Sequence, residues 1–143
     1  MALFDLKKAF DSIDHSILIK LLNKTLKHHR KELLIALWIL SVAKIKLNEK
    51  RDAINLNRGC PQGNRTSPFF FNSFINDLVV KLSLIIGLKV MVFADDIAII
   101  ADCRPTLTKA IKIIEKWCLE NKMKLNKSKS FIVFVKSKPN SKL

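Results

Sequence analysis

Residues 88–101 read LKVMVFADDIAIIA, and this stretch decides the architecture. Two apolar, β-rich segments, 88–93 and 97–101, flank Ala94, Asp95 and Asp96, which predicts an antiparallel hairpin carrying two carboxylates at its tip. Ala2, Leu3, Phe4, Asp5 and Leu6 form a short apolar run broken by one charge, read as a further strand, and residues 131–135 read as a closing one. Helical patterns lie between. Ile17, Leu18, Leu21 and Leu22 recur at helix spacing behind Asp11 and Ser12, either of which suits an N-cap. A second helix is expected over residues 31–43, then a hairpin from segments 45–47 and 53–56, then a turn-rich loop over 57–66. Ser67 and Pro68 open a long apolar helix reaching about Leu84, with the proline in the first turn, where a missing N–H costs nothing. Residues 106–120 are amphipathic, with Ala110, Ile113, Ile114 and Trp117 on one face. The order predicts an α+β fold with helices on one face of an antiparallel sheet.

The chain has 143 residues, 49% of them apolar, which suits one domain with a real core and excludes a disordered basic tail. Lys and Arg number 26 against 12 acids, a net charge of +14, so a polyanionic partner is expected, either nucleic acid or an acidic membrane surface. No stretch combines a strongly basic face with a broad apolar one, which disfavours the membrane surface. The longest uncharged apolar run, residues 33–43, is too short to span a bilayer, which takes about 20 residues. Met1 is followed closely by Asp5, Lys7 and Lys8, so no secretory leader is expected. Cys60, Cys103 and Cys118 are far apart, form no C-x-x-C and stand at no zinc-ligand spacing from His15, His28 or His29. They are expected to be free thiols in a reducing, intracellular setting.

With so few acids, their placement is informative. Asp5 ends an apolar strand, and Asp95 and Asp96 sit at a hairpin tip. Carboxylates crowded against a β-core repel one another and lose hydration unless a cation compensates. Hard divalent cations take such oxygen ligands, and Mg²⁺ binds through one or two carboxylates alongside water and substrate phosphates. Alone, each piece reads more readily as a turn pair or a strand cap.

Four segments in order resemble the palm of reverse transcriptases, above all those of non-LTR retrotransposons and group II introns. ALFDLKKAFDSIDH (2–15) resembles the first motif, an Asp followed five residues later by an aromatic. RGCPQGNRTSPFFFNSFINDL (58–78) resembles the second, with its P-Q-G and S-P signature. VFADDIAII (92–100) resembles the aromatic-x-Asp-Asp hairpin, and WCLENKMKLNKSKSFIVF (117–134) resembles the fourth motif, with its N-x-x-K-[S/T] run.

The resemblance implies a polymerase palm of ferredoxin-like α+β fold over residues 1–136, without fingers or thumb; residues 137–143 are read separately as a disordered tail. It implies an RNA-directed DNA polymerase that joins a deoxynucleotide to a primer 3′-hydroxyl on an RNA template with two Mg²⁺ ions, Mn²⁺ being a possible substitute. Asp5 and Asp95 match the principal metal ligands and Asp96 the third carboxylate. Lys129 matches a lysine proposed to protonate departing pyrophosphate, with Lys127 as its near neighbour. Phe10 matches the aromatic that excludes a ribose 2′-hydroxyl, which disfavours an RNA-templated RNA polymerase. Gln62 and Gly63 match the loop facing template base and nucleotide, and Arg58 and Arg65 are placed to meet phosphates. Asn72 and Asn76 fit the pattern of the apolar helix, while Asp11, Asp14 and Asp77 are assigned to caps and surface pairs and Asp102 to a loop. The alternative is a catalytically inactive retroelement remnant that only binds nucleic acid.

Overall fold

The computed structural model describes residues 1–25, 58–60, 63 and 65–134. The expected helix over 31–43, the hairpin over 45–56, Gln62 and the tail over 137–143 lie outside the described residues. Among the described residues there are four strands: β1 (Ala2–Asp5), β2 (Leu88–Phe93), β3 (Asp96–Ala101) and β4 (Phe131–Ile132). They form an antiparallel sheet in the order β2-β3-β1-β4, so β1 is an inner strand. The helices are α1 (Ala9–Ser12), α2 (His15–Thr25), α3 (Ser67–Ser83) and α4 (Arg104–Glu120). This is the expected α+β architecture.

Strand alternation sorts the sheet into two faces. Ala2, Phe4, Ile97 and Ile99 are buried, and Leu88, Val90 and Val92 pack against the same core. The opposite face carries Asp5, Asp96, Lys89, Met91, Phe93 and Ile100, most of them exposed. A one-residue slip would exchange the two sets, so burial of Phe4, Ile97 and Ile99 fixes the register that positions Asp5 and Asp96.

Helices α3 and α4 cover the core face. Phe70, Phe71, Phe74, Ile75, Leu78 and Leu82 make a buried stripe along α3, at the spacing of one helix face. Leu107, Ala110, Ile114 and Trp117 do the same along α4, while Ile113 is only half-buried. The two helices meet where Phe74 and Trp117 pack edge to face with centroids 5.4 Å apart. The indole N–H of Trp117 donates to Asp77 Oδ2 at 3.0 Å, so the ring is buried with its one polar atom satisfied. Asp77 also pairs with Lys81 on the next turn, as a surface partner should.

Two local expectations are corrected. The N-cap of α2 is Asp14, whose Oδ1 accepts the backbone N–H groups of Ser16 (3.0 Å) and Ile17 (3.3 Å), and neither Asp11 nor Ser12 fills that place. Both of those residues lie instead in α1, too short to show a period in the sequence. At the end of the described chain, the strand is confined to Phe131–Ile132, followed by a reciprocal pair of bonds in which Val133 N–H donates to the Met1 carbonyl and the Met1 amine to the Val133 carbonyl. Residues 133–134 have no further strand partner among the described residues, and Val135 lies outside them.

Candidate active site

Asp5 is the last residue of β1, and its register partner on β3 is Asp96. Directly opposed residues have Cα atoms about 4.5–5.5 Å apart, and their side chains emerge on the same face. Two like charges therefore adjoin on the open side of the sheet. The hairpin closes at the Phe93–Asp96 pair with only Ala94 and Asp95 in the loop. Ala94 adopts φ 51°, the left-handed conformation that two-residue hairpin turns demand and that costs a non-glycine residue roughly 1 kcal/mol. Backbone strain thus sits directly beside the carboxylates, where it serves a tight turn rather than packing. Past β1, the Leu6 N–H donates to the Asp95 carbonyl at 3.3 Å, which ties the turn to the end of the strand.

The other flank of Asp5 is the segment following α4. Lys7 N–H donates to the Lys124 carbonyl (2.8 Å), Leu6 bridges Leu125, and Asn126 N–H donates to the Asp5 carbonyl (2.8 Å). The Asn126 side-chain amide donates to Asp5 Oδ2 at 2.7 Å, and Lys129 Nζ stands 4.0 Å from Oδ1. The Asp5 side chain is 13% exposed and that of Lys129 70%, so the lysine reaches the carboxylate from solvent. Asn126 and the backbone of residues 124–126 are the site components that motif reading had passed over. The available signal was the Asn heading the N-x-x-K-S run.

Among the described residues, no three His, Cys, Asp or Glu side chains are gathered closely enough to hold a metal ion together. The donor set nonetheless suits Mg²⁺, which needs only one or two protein carboxylates and draws its remaining oxygens from water and substrate. Asp5 and Asp96 are two carboxylates at one register position, with Asp95 in the adjoining turn.

Phe10 lies on α1 and stacks on Phe71 of α3, centroids 4.5 Å apart and planes 23° from parallel, so its half-buried ring has a fixed orientation. The loop bearing Gly63 is anchored to the same part of the chain. Gly59 N–H donates to the Ile13 carbonyl and Cys60 N–H to the Phe10 carbonyl, each at 2.8 Å. His15 Nε2 donates to the Gly59 carbonyl at 2.8 Å, and burial pulls the His15 pKa below its usual value. Arg58 bridges Asp14 through the backbone. Arg58, Gly63 and Arg65 are exposed, as are Asn72 and Asn76. Gln62 falls outside the described residues.

Cys60 and Cys118 are buried free thiols, pushed up to about 11 by desolvation, and Cys103 is free and exposed. Among the described residues, no helix is long and apolar enough to cross a membrane.

The family described as Reverse transcriptase (RNA-dependent DNA polymerase) matches residues 1–141. The Pol polyprotein of the type-1 retrotransposable element R2 from Nasonia vitripennis is 32% identical over 126 residues, 80% of this chain and 12% of that protein. The R2 polyprotein of Popillia japonica is 25% identical over 143 residues, 92% of this chain and 20% of its own length. An R1 polyprotein of Nasonia vitripennis is 26% identical over 88 residues, 57% of this chain and 26% of that protein. The chain therefore spans a fifth or less of the two R2 relatives.

Proposed function

The chain belongs to the reverse transcriptase family, and from that premise we propose that it is the catalytic palm of an RNA-directed DNA polymerase of the non-LTR retrotransposon type. It would add deoxynucleotides to a primer 3′-hydroxyl on an RNA template, with fingers and thumb supplied by other parts of a longer polyprotein. The observation that carries this is the strand register setting Asp5 opposite Asp96, beside the strained Asp95 turn.

Asp5, Asp95 and Asp96 would hold two Mg²⁺ ions, which when bound supply Lewis-acid activation of the hydroxyl and neutralisation of phosphate charge. The remaining work falls to the chain's own groups. Lys129 Nζ, flexible and solvated at the edge of the carboxylates, is suited to hand a proton to departing pyrophosphate. Phe10 presents a ring whose angle is set by Phe71, and such a ring under the sugar excludes a 2′-hydroxyl by volume. Arg58 and Arg65, with Gln62 and Gly63 between them, would face the triphosphate and the templating pair. No nucleophilic Ser, Cys or His is required, because positioning and charge stabilisation carry phosphoryl transfer.

The test is primer extension on an RNA template by the longest natural polypeptide containing this segment. Magnesium-dependent deoxynucleotide incorporation is expected, falling to background in Asp95→Ala, and Phe10→Val is expected to admit ribonucleotides. Incorporation unchanged by Asp95→Ala overturns the assignment. Template binding without incorporation identifies a remnant that only binds nucleic acid.

A further inference from the structure

The segment following α4 does more than carry Lys129: it encloses Asp5. Asn126 contributes its backbone N–H to the Asp5 carbonyl and its side-chain N–H to Asp5 Oδ2. Ser130 Oγ donates to the Asn126 carbonyl (2.8 Å) and accepts the Asp5 backbone N–H (3.3 Å). The Asn126 amide is itself oriented, because Ser128 Oγ donates to its Oδ1 at 2.7 Å. A carboxylate only accepts, so the amide must turn its nitrogen to Asp5, and the serine hydroxyl then satisfies the oxygen. The described interactions of the Asp5 carboxylate divide between its two oxygens. Oδ2 is taken by Asn126, and Oδ1 faces only the distant Lys129 ammonium.

We propose that Asn126, oriented by Ser128, is the positioning residue that fixes the Asp5 carboxylate and reserves Oδ1 for a divalent cation. This rests on the function proposed above. A free carboxylate beside Asp96 would rotate away from the like charge; the amide bond to Oδ2 opposes that rotation. It also satisfies the oxygen the cation leaves unused, the role that hydrogen-bonded outer partners play around metal-ligating carboxylates. Lys129 occupies the cation's side of Asp5 at a distance too long for a strong bond, so it is displaced without loss of a tight contact.

The probe is Mn²⁺, titrated into the 143-residue chain with the free ion read by electron paramagnetic resonance. Wild type is expected to bind Mn²⁺ in a manner lost in Asp5→Ala, and Asn126→Ala to weaken that binding about tenfold or more. Ser128→Ala, an exposed site that leaves every direct Asp5 contact in place, should weaken it less but measurably, and it guards against a misfolded Asn126 variant. In the Asp5→Ala background, Asn126→Ala should have no further effect, since the two act through one group. Asp5-dependent Mn²⁺ binding that both Asn126→Ala and Ser128→Ala leave unchanged overturns the positioning role alone. Absence of Asp5-dependent binding in wild type overturns the metal assignment and this inference with it.

Discussion

Asp14 joins two parts of the fold through one carboxylate. Its Oδ1 caps α2 and its Oδ2 accepts Lys122 Nζ at 2.7 Å, just beyond the end of α4, where Lys122 adopts φ 56°. The Lys122 ammonium, followed by the Ser16 hydroxyl, holds the carboxyl well below the ordinary value of 3.8. The folded state therefore binds the proton more weakly than the unfolded chain. The stabilisation is complete above pH 3.8 and is lost as pH falls toward the lower folded value. Asp14→Ala is expected to cost about 1–2 kcal/mol at pH 7 in urea unfolding, with the gap from wild type narrowing below pH 4. A gap that stays constant across that range contradicts the account. Residue-level roles were the least legible in the sequence. Asp11, Ser12 and Asp14 are equally good caps by type, and only the tertiary partner at position 122 selects Asp14. Asn126 drew no attention because its hydrogen bond reaches a residue 121 positions away, which no local spacing reveals.

At the scale of elements the sequence was far more informative. The β2–β3 hairpin was legible because two apolar, β-rich segments flank Ala94, Asp95 and Asp96 in one stretch, although Asp96 proves to be the first residue of β3. Helix α3 was legible because Pro68 marks its start and an apolar stripe its face. What no periodicity could reveal was how the P-Q-G loop attaches. Gly59 has φ 89°, and a Cβ there would lie 3.2 Å from the Asp11 carbonyl oxygen and 3.3 Å from Asp11 Cα, both backbone atoms unable to move aside. Gly63 has a similar φ of 83° but nothing within 4 Å of an added Cβ. Gly63→Ala should thus cost only the conformational strain, about 1–2 kcal/mol, while Gly59→Ala costs that strain plus displacement of the loop from α1. Thermal melts should rank Gly59→Ala as the more damaging. Equal effects would show that the loop is not seated on Asp11.

For the whole molecule, the net charge of +14 is the dominant property. Binding to an RNA–DNA duplex should weaken steeply with salt, since each neutralised phosphate contributes roughly −0.7 to −0.9 to the log–log slope through counterion release. A slope near zero would separate the charge from nucleic-acid binding. The open face of the sheet is the complementary feature. Met91 and Phe93 stand 53% and 84% exposed on the face that carries Asp5 and Asp96, so the carboxylates adjoin an exposed apolar surface. Fold class followed from pattern alone, yet the meeting of Asp5 with Asp95 and Asp96 depends on β1 pairing with a strand more than ninety residues later. Only the ordered set of four motifs pointed to it.

That meeting is open to one direct measurement. Fe²⁺ replacing Mg²⁺ in the chain, with ascorbate and peroxide, cuts backbone close to the bound ion. Cuts are predicted around residues 4–6, 94–96 and 124–128 together, suppressed by excess Mg²⁺ and absent in Asp5→Ala. Cuts confined to other acidic positions, or unaffected by Asp5→Ala, would contradict a shared cation at these three carboxylates.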